Sequence, residues 1–148
     1  MTQVTQDRGQ RARRTIEAFG RRDWATFREV FAPELVYTET GTGRRIEGLE
    51  TFIDTSEEWL AVLPDCTGEV TRLVHDRDTT VLEVVWRGTH TGPLDTPTGT
   101  VPPSGATVEI RATVWQTWAG DEVVAYDHHL DVLTMLAQIG ALGAPASA

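Results

Sequence analysis

The stretch TVEIRATVWQTWAGDEVVAYDHHL, residues 107–130, decides the fold of this chain. Apolar and polar residues alternate with a period of two on both sides of Ala119-Gly120-Asp121. This pattern predicts two antiparallel strands, 107–118 and 122–130, joined by a tight turn. The same period over residues 68–75 and 80–87 predicts two further strands of the same sheet.

The residues before these strands follow helical spacing instead. Apolar residues recur as on one face of a helix and predict a first helix that ends at Gly20, a second that Asp23 caps, and a third over residues 49–63. Besides these helices we expect a strand at 35–40, a turn at 41–45 and a closing helix at 131–139 that Asp131 caps. Helices first and antiparallel strands later indicate an α+β fold. Helices on one face of a curved sheet leave a pocket between the two layers, which is a usual place for a small ligand.

Length and charge limit the classes of function. A chain of 148 residues suits one domain, 1–148, with an ordered core over about 8–142. The 22 acidic and 13 basic residues leave a net charge of -9, so we expect neither nucleic acid nor a membrane surface as a partner. Cys66 is the single cysteine, which excludes a disulfide framework and a cysteine-based zinc site. We expect a cytoplasmic protein, since the sequence has neither a membrane span nor an apolar secretory segment.

A long connection separates the second and third of the late strands. Eight of the 19 residues over 88–106 are Gly or Pro, and His90 stands near its start. Connections of this length are usually lids, binding loops or disorder, and the paired prolines favour an ordered flap. His90 is therefore a candidate at the pocket mouth. The alternative is that the loop shields a sheet edge or joins a dimer.

Three segments carry a family resemblance: Trp86-Arg-Gly-Thr-His-Thr-Gly, Pro102-Pro-Ser-Gly and Asp131-Val-Leu-Thr-Met-Leu-Ala-Gln-Ile-Gly. Together they resemble the SnoaL-like polyketide cyclases, and the Asp–x6–Gln–Ile–Gly pattern is the most telling part. The resemblance covers nearly all of residues 10–142. It implies the cone-shaped α+β fold of nuclear transport factor two and ketosteroid isomerase, a curved mixed or antiparallel sheet wrapped around helices with a central pocket. It also implies a homodimer and cofactor-free ring closure by intramolecular aldol chemistry.

The family's acid/base aspartate lies on the last strand, and its position here is ambiguous by one residue. Counting back three residues from Asp131 reaches His128, whereas counting forward from Gly120 reaches Asp127. A shift of one residue moves a side chain to the other face of a sheet. His128 shares parity with the more apolar side of its strand, so we favour it as the inward acid/base group. A bulge would bring Asp127 inward instead.

The remaining candidates are aromatic or lie at the end of the last strand. Tyr37, Trp59, Trp86 and Tyr126 are candidates for binding an aromatic or polycyclic substrate, although such residues are more often plain core. Asp131 is a further candidate for substrate binding, and its simplest role is that of the helix cap. We expect no metal, because adjacent residues of 127–131 point to opposite faces and a third ligand must come from elsewhere.

These observations favour an enzyme that moves a proton next to a carbonyl of a small hydrophobic, polyketide- or steroid-like molecule by aldol cyclisation or isomerisation, without a cofactor. One rival is an epoxide hydrolase of the limonene type, which needs two carboxylates and an arginine around a water; Arg87 or Arg111 could supply the arginine. The other rival is a non-catalytic small-molecule binder or dimerisation module. Glu109, Arg111 and Trp115 would suit a mixed dimer interface on the outer face of the sheet.

Overall fold

The computed structural model describes residues 2–142, with side chains from residue 7 onward. Within these residues the chain forms four helices and eight strands. The helices are α1 (Thr2–Arg21), α2 (Trp24–Val30), α3 (Leu49–Val62) and α4 (Val132–Gln138). The strands are β1 (Phe31–Thr40), β2 (Arg44–Glu47), β3 (Thr67–Asp76), β4 (Thr79–Thr89), β5 (Leu94–Thr96), β6 (Gly99–Val101), β7 (Thr107–Ala119) and β8 (Glu122–Leu130). None of the described helices is long and apolar enough to cross a membrane.

Six of the strands form one mixed sheet in the order β2-β1-β8-β7-β4-β3. Strands β1 and β8 pair in parallel, and the other neighbours pair antiparallel. Helix α1 packs against β3 and helix α3 against β1, toward opposite ends of the strand order. The predicted α+β class is confirmed.

The alternation that predicted the late strands also sets which face is covered. On β7 the buried positions Val108, Ile110, Ala112 and Val114 alternate with exposed or half-buried residues. The buried row faces the helices, because that is where apolar side chains leave water. The same rule on β8 buries Tyr126 and His128 together.

The first helix ends differently from the sequence prediction. α1 continues through Gly20 to Arg21, and Arg22 adopts the left-handed conformation with φ 53°. Gly20 instead allows a close approach: a Cβ there would lie 2.7 Å from the carbonyl oxygen of Cys66. The prediction that Gly20 ends the first helix was therefore wrong. Glycine is needed at this position because α1 packs closely against the backbone at Cys66. The predicted cap of α2 is confirmed, since Asp23 accepts from the backbone N–H of Thr26 at 3.2 Å.

Two predicted loops contain strands. The turn predicted at 41–45 is shorter, because residues 44–47 pair with β1 as β2. Inside the long connection, β5 and β6 form a separate hairpin. The start of that connection is attached to α3, where Gly92 N–H donates to the carbonyl of Val62 at 3.1 Å.

Candidate active site

A cavity lies between the helices and the concave face of the sheet. Its volume is about 60 Å³, measured as the space open to the centre of a water molecule. At roughly 10–15 Å³ for each water, this space holds about five. Aromatic side chains from α1, α3 and three strands form much of its wall: Phe19, Tyr37, Phe52, Trp59, Trp86 and Tyr126. The four aromatic residues predicted from the sequence are thus all brought to one cavity.

His128 lines this cavity from the middle of the sheet. It lies on β8, and only 7% of the residue is exposed. Its Nδ1 is 2.8 Å from the hydroxyl of Tyr37, and its Nε2 accepts from the indole N–H of Trp86 at 3.2 Å. Of the two residues that the sequence left as alternatives, the structure places His128 on the cavity side.

These contacts determine the position of the imidazole proton. An indole N–H can only donate, so Nε2 of His128 must be the accepting nitrogen. A neutral imidazole with an accepting Nε2 carries its proton on Nδ1. That N–H donates to the Tyr37 oxygen, which leaves the Tyr37 proton free to donate elsewhere. The ring is therefore neutral and in the Nδ1–H tautomer.

Glu39 accepts a hydrogen bond from the Tyr37 hydroxyl, and it was not among the site residues predicted from the sequence. Its Oε2 accepts from the Tyr37 hydroxyl at 2.6 Å and from the Trp59 indole at 3.2 Å, while Oε1 accepts from the Thr42 hydroxyl at 2.6 Å. Only 2% of Glu39 is exposed. Three donors and no acceptor around a buried carboxyl group are the surroundings of an ionised carboxylate.

A sequence signal for Glu39 existed. Leu35, Tyr37 and Glu39 occupy alternate positions of β1, and all three are buried. Alternation alone therefore puts the carboxylate on the same side as Tyr37. The sequence pattern does not identify the strand that pairs with β1. In the structure β1 runs parallel to β8, with Tyr37 opposite Tyr126 and Glu39 opposite His128.

Burial sets the protonation of the cavity groups. It lowers the pKa of His128 to about 3, with a smaller contribution from the charge of His129, so the imidazole is neutral at physiological pH. Burial is also the main cause that raises the pKa of Tyr126, and that of Tyr37 well above its ordinary value, with the negative charge of Glu39 adding to both. Both phenols consequently keep their protons and remain hydrogen-bond donors.

Tyr126 differs from Tyr37 in how its hydroxyl is used. Tyr126 lines the cavity and is 4% exposed. Within the residues whose side chains the structure describes, the Tyr126 hydroxyl makes no hydrogen bond. Its oxygen is still accessible to a molecule of the size of water. The phenol proton is thus available to a guest in the cavity.

Two carboxylate candidates lie away from the cavity. Asp127 is on the other face of β8 and accepts from the Thr38 hydroxyl at 2.6 Å. Asp131 is exposed and caps α4, since it accepts from the backbone N–H of Thr134 at 3.1 Å. The predicted cap is confirmed, and Asp131 does not line the cavity. Asp127 and His128 are adjacent on β8, and adjacent side chains of a strand point to opposite faces of the sheet.

His90 also lies outside the cavity lining. It is fully buried beneath the long connection, where its Nδ1 accepts from the backbone N–H of Ser104 at 3.1 Å and lies 2.8 Å from the Ser104 hydroxyl. These contacts close the base of the loop. The expectation that His90 stands at the pocket mouth does not match this position, because the loop folds over the ring.

Comparison with known proteins places the chain in a family. The family model of the SnoaL-like polyketide cyclases matches residues 10–139. No curated protein matches the chain.

Solved structures agree on the fold. A proposed SnoaL-like polyketide cyclase from Jannaschia sp. CCS1 superposes with a TM-score of 0.84 at 20% identity, over 95% of this chain and 96% of that one. IdmH, a proposed polyketide cyclase from Streptomyces antibioticus, gives 0.77 at 28% identity, over 90% and 98%. A protein from Catenulispora acidiphila with a ketosteroid isomerase-like fold, in complex with trimethylamine, gives 0.71 at 17%, over 88% and 93%. The cone-shaped fold that the resemblance implied is thereby confirmed, and the family match over most of the chain leads to one conclusion: this protein belongs to the SnoaL-like polyketide cyclase family.

Proposed function

We propose that this protein is an enzyme that removes and returns a proton next to a carbonyl group of a small hydrophobic substrate, as in aldol ring closure or isomerisation. One observation carries the proposal: a buried, neutral imidazole, that of His128, faces an aromatic cavity. A neutral imidazole has a nitrogen lone pair that can accept a proton, and the Nε2 lone pair of His128 accepts only the Trp86 indole N–H, at 3.2 Å.

The cavity also offers a donor for the charge that forms when the proton leaves. Removing a proton beside a carbonyl puts negative charge on the carbonyl oxygen, and a fixed donor in a dry site stabilises that charge. Tyr126 has an unused phenol proton in the cavity, and burial raises its pKa. We assign Tyr126 to the substrate oxygen, with Trp59 and Trp86 as aromatic walls.

The size of the cavity limits the substrate. Space for about five waters corresponds to roughly 150 Å³ of liquid, which is near the volume of a two-ring molecule. A compact aromatic or polyketide-derived ketone therefore fits inside, and the rest of a larger substrate would lie outside. The 28% identity to a proposed polyketide cyclase supports this class of substrate.

The hydrolase alternative has less support. It needs an arginine at the reacting water, and the cavity lining in the described part of the chain includes none. Arg87 instead contacts Glu69 and Glu109 on the exposed side of the sheet. The non-catalytic binder remains an outcome of the test.

The test uses exchange of hydrogen for deuterium at the carbon beside the carbonyl of 2-tetralone, a two-ring ketone, followed by NMR in D2O. We expect wild-type protein to accelerate exchange and His128→Gln to slow it by about 100-fold or more. His129→Gln is the matched control, because His129 is the next residue on the same strand and is exposed. Binding of 2-tetralone without any acceleration would support the binder and contradict the enzyme.

The proposal includes a homodimer through the outer face of the sheet. Trp115 on β7 is 45% exposed on that face and would be covered in such a dimer. Light scattering that gives twice the chain mass supports the dimer, and the chain mass of 16.3 kDa contradicts it.

A further inference from the structure

We propose that the proton taken by His128 ends on Glu39, carried there through Tyr37, so that the imidazole never becomes a cation. The inference rests on the proposed function and extends it to a residue that the substrate does not touch. Glu39 lies behind Tyr37 and Trp59 and does not line the cavity. It can therefore act on a bound molecule only through a neighbour.

The hydrogen bonds all point in one direction. Trp86 donates to Nε2 of His128, Nδ1–H donates to the Tyr37 oxygen, and the Tyr37 hydroxyl donates to Oε2 of Glu39. The direction is forced at its first member, because indole has no acceptor. A chain with this polarity is set to move protons from the cavity toward the carboxylate.

The step balances without any further reactant. The C–H bond beside the substrate carbonyl breaks, its electron pair becomes the enolate, and the proton bonds to Nε2 of His128. The Nδ1 proton moves to the Tyr37 oxygen while the Tyr37 proton moves to Oε2 of Glu39. Glu39 ends as the neutral acid and His128 as the neutral Nε2–H tautomer, so the total charge stays at minus one. Reversing the transfers returns a proton to the substrate.

The weak member of the network lies where a substrate must enter. The Trp86 contact of 3.2 Å is at the long end of the range for N–H hydrogen bonds, whereas the Tyr37–Glu39 contact is 2.6 Å. A substrate C–H group must displace the indole N–H from Nε2 to reach the lone pair, and this contact is longer than the two that continue the relay. The remaining contacts hold the relay in place during that exchange.

The relay also removes a difficulty of a lone imidazole base. With a pKa of about 3, His128 holds an extra proton at neutral pH in only about one molecule in ten thousand. A buried carboxylate at the end of the relay takes the proton instead, and its own charge disappears as the enolate charge appears. No pair of opposite charges therefore has to form in the aromatic cavity.

The decisive variant is Glu39→Gln, because it keeps the shape. The amide oxygen can accept from Tyr37 and Trp59 as Oε2 does, and the amide N–H can donate to the Thr42 oxygen. We expect this variant to fold and to bind 2-tetralone, and to slow the deuterium exchange by about 100-fold or more, as His128→Gln does. Glu47→Gln, an exposed carboxylate on β2, is the matched control.

Two further variants separate proton transfer from structure. Tyr37→Phe leaves His128 and Glu39 in place but breaks the path, so we expect the same loss of exchange. Glu39→Asp keeps a carboxylate, and we expect it to restore part of the rate that Gln loses. If Glu39→Gln and Tyr37→Phe bind 2-tetralone and exchange it at the wild-type rate, the relay is wrong even though the proposed function stands.

The tautomer of His128 provides a readout that does not depend on activity. Nitrogen-15 NMR of the imidazole should show a protonated Nδ1 in the resting wild-type protein. A protonated Nε2 would overturn the relay, because the direction of its hydrogen bonds would then be reversed. If His128→Gln loses the exchange activity while Glu39→Gln keeps the wild-type rate, the relay alone is rejected. If the wild-type protein does not accelerate exchange, both the proposed function and the relay are rejected.

Discussion

Acidification from pH 7 to pH 5 should destabilise this protein through His128. Burial lowers the pKa of this imidazole in the folded chain to about 3, whereas an unfolded histidine has a value of about 6.5. Between these values the unfolded chain binds a proton that the folded chain does not bind. The contribution to stability is therefore fully present above about pH 6.5 and is lost as the pH falls toward 3.

The size of the effect follows from the same two values. At pH 5 the loss is about 1.4 kcal/mol for each of about 1.5 pH units, or about 2 kcal/mol of unfolding free energy. His128 is 7% exposed, so screening by solvent does little to reduce this figure. The loss reaches about 5 kcal/mol near pH 3, where the folded imidazole begins to bind the proton as well.

Urea unfolding followed by tryptophan fluorescence measures this loss. The comparison is between wild type and His128→Gln at both pH values, since all other titrating groups are common to the two proteins. We expect the stability of wild type to fall by about 2 kcal/mol more than that of the variant. Equal falls in the two proteins would refute the reasoning, because they would mean that the folded imidazole takes up protons as readily as the unfolded one.

Three further predictions concern other parts of the molecule. Burial raises the pKa of Cys66 to about 12, so its thiol should react with a maleimide at pH 8 only after unfolding; rapid labelling of the native protein would contradict this. A Cβ at Gly92 would lie 1.8 Å from the backbone oxygen of Ala61, so Gly92→Ala should detach the long connection from α3 and speed its cleavage by thermolysin, and unchanged cleavage would argue against the contact. Leu82→Ala should cost about 2–5 kcal/mol in urea unfolding because Leu82 is fully buried, whereas Leu133→Ala, at a residue 67% exposed, should cost little; similar losses would contradict the burial of β4.

Strands β7 and β8 show how much of the secondary structure a local sequence pattern can predict. β7 and β8 were predicted within one residue of their observed ends, because a period of two over nine or more residues has no helical interpretation. The prediction failed where tertiary contacts overrule a local signal. Gly20 is a stop signal in isolation, yet here it makes room for the Cys66 carbonyl. Arg44 and Arg45 pair with β1 although the turn was predicted to extend over 41–45.

The site itself divides in the same way. The sequence alone determined the fold class, favoured the inward face for His128 and made the aromatic residues candidates for a pocket, since alternation and apolar spacing are properties of neighbouring residues. Only the tertiary structure decided that Glu39 and Tyr37 stand beside His128, and that Asp131 and His90 do not. The physical reason is the parallel pairing of β1 with β8: it joins residues 89 positions apart and depends on how α3 and the strands between them pack, which no local pattern records.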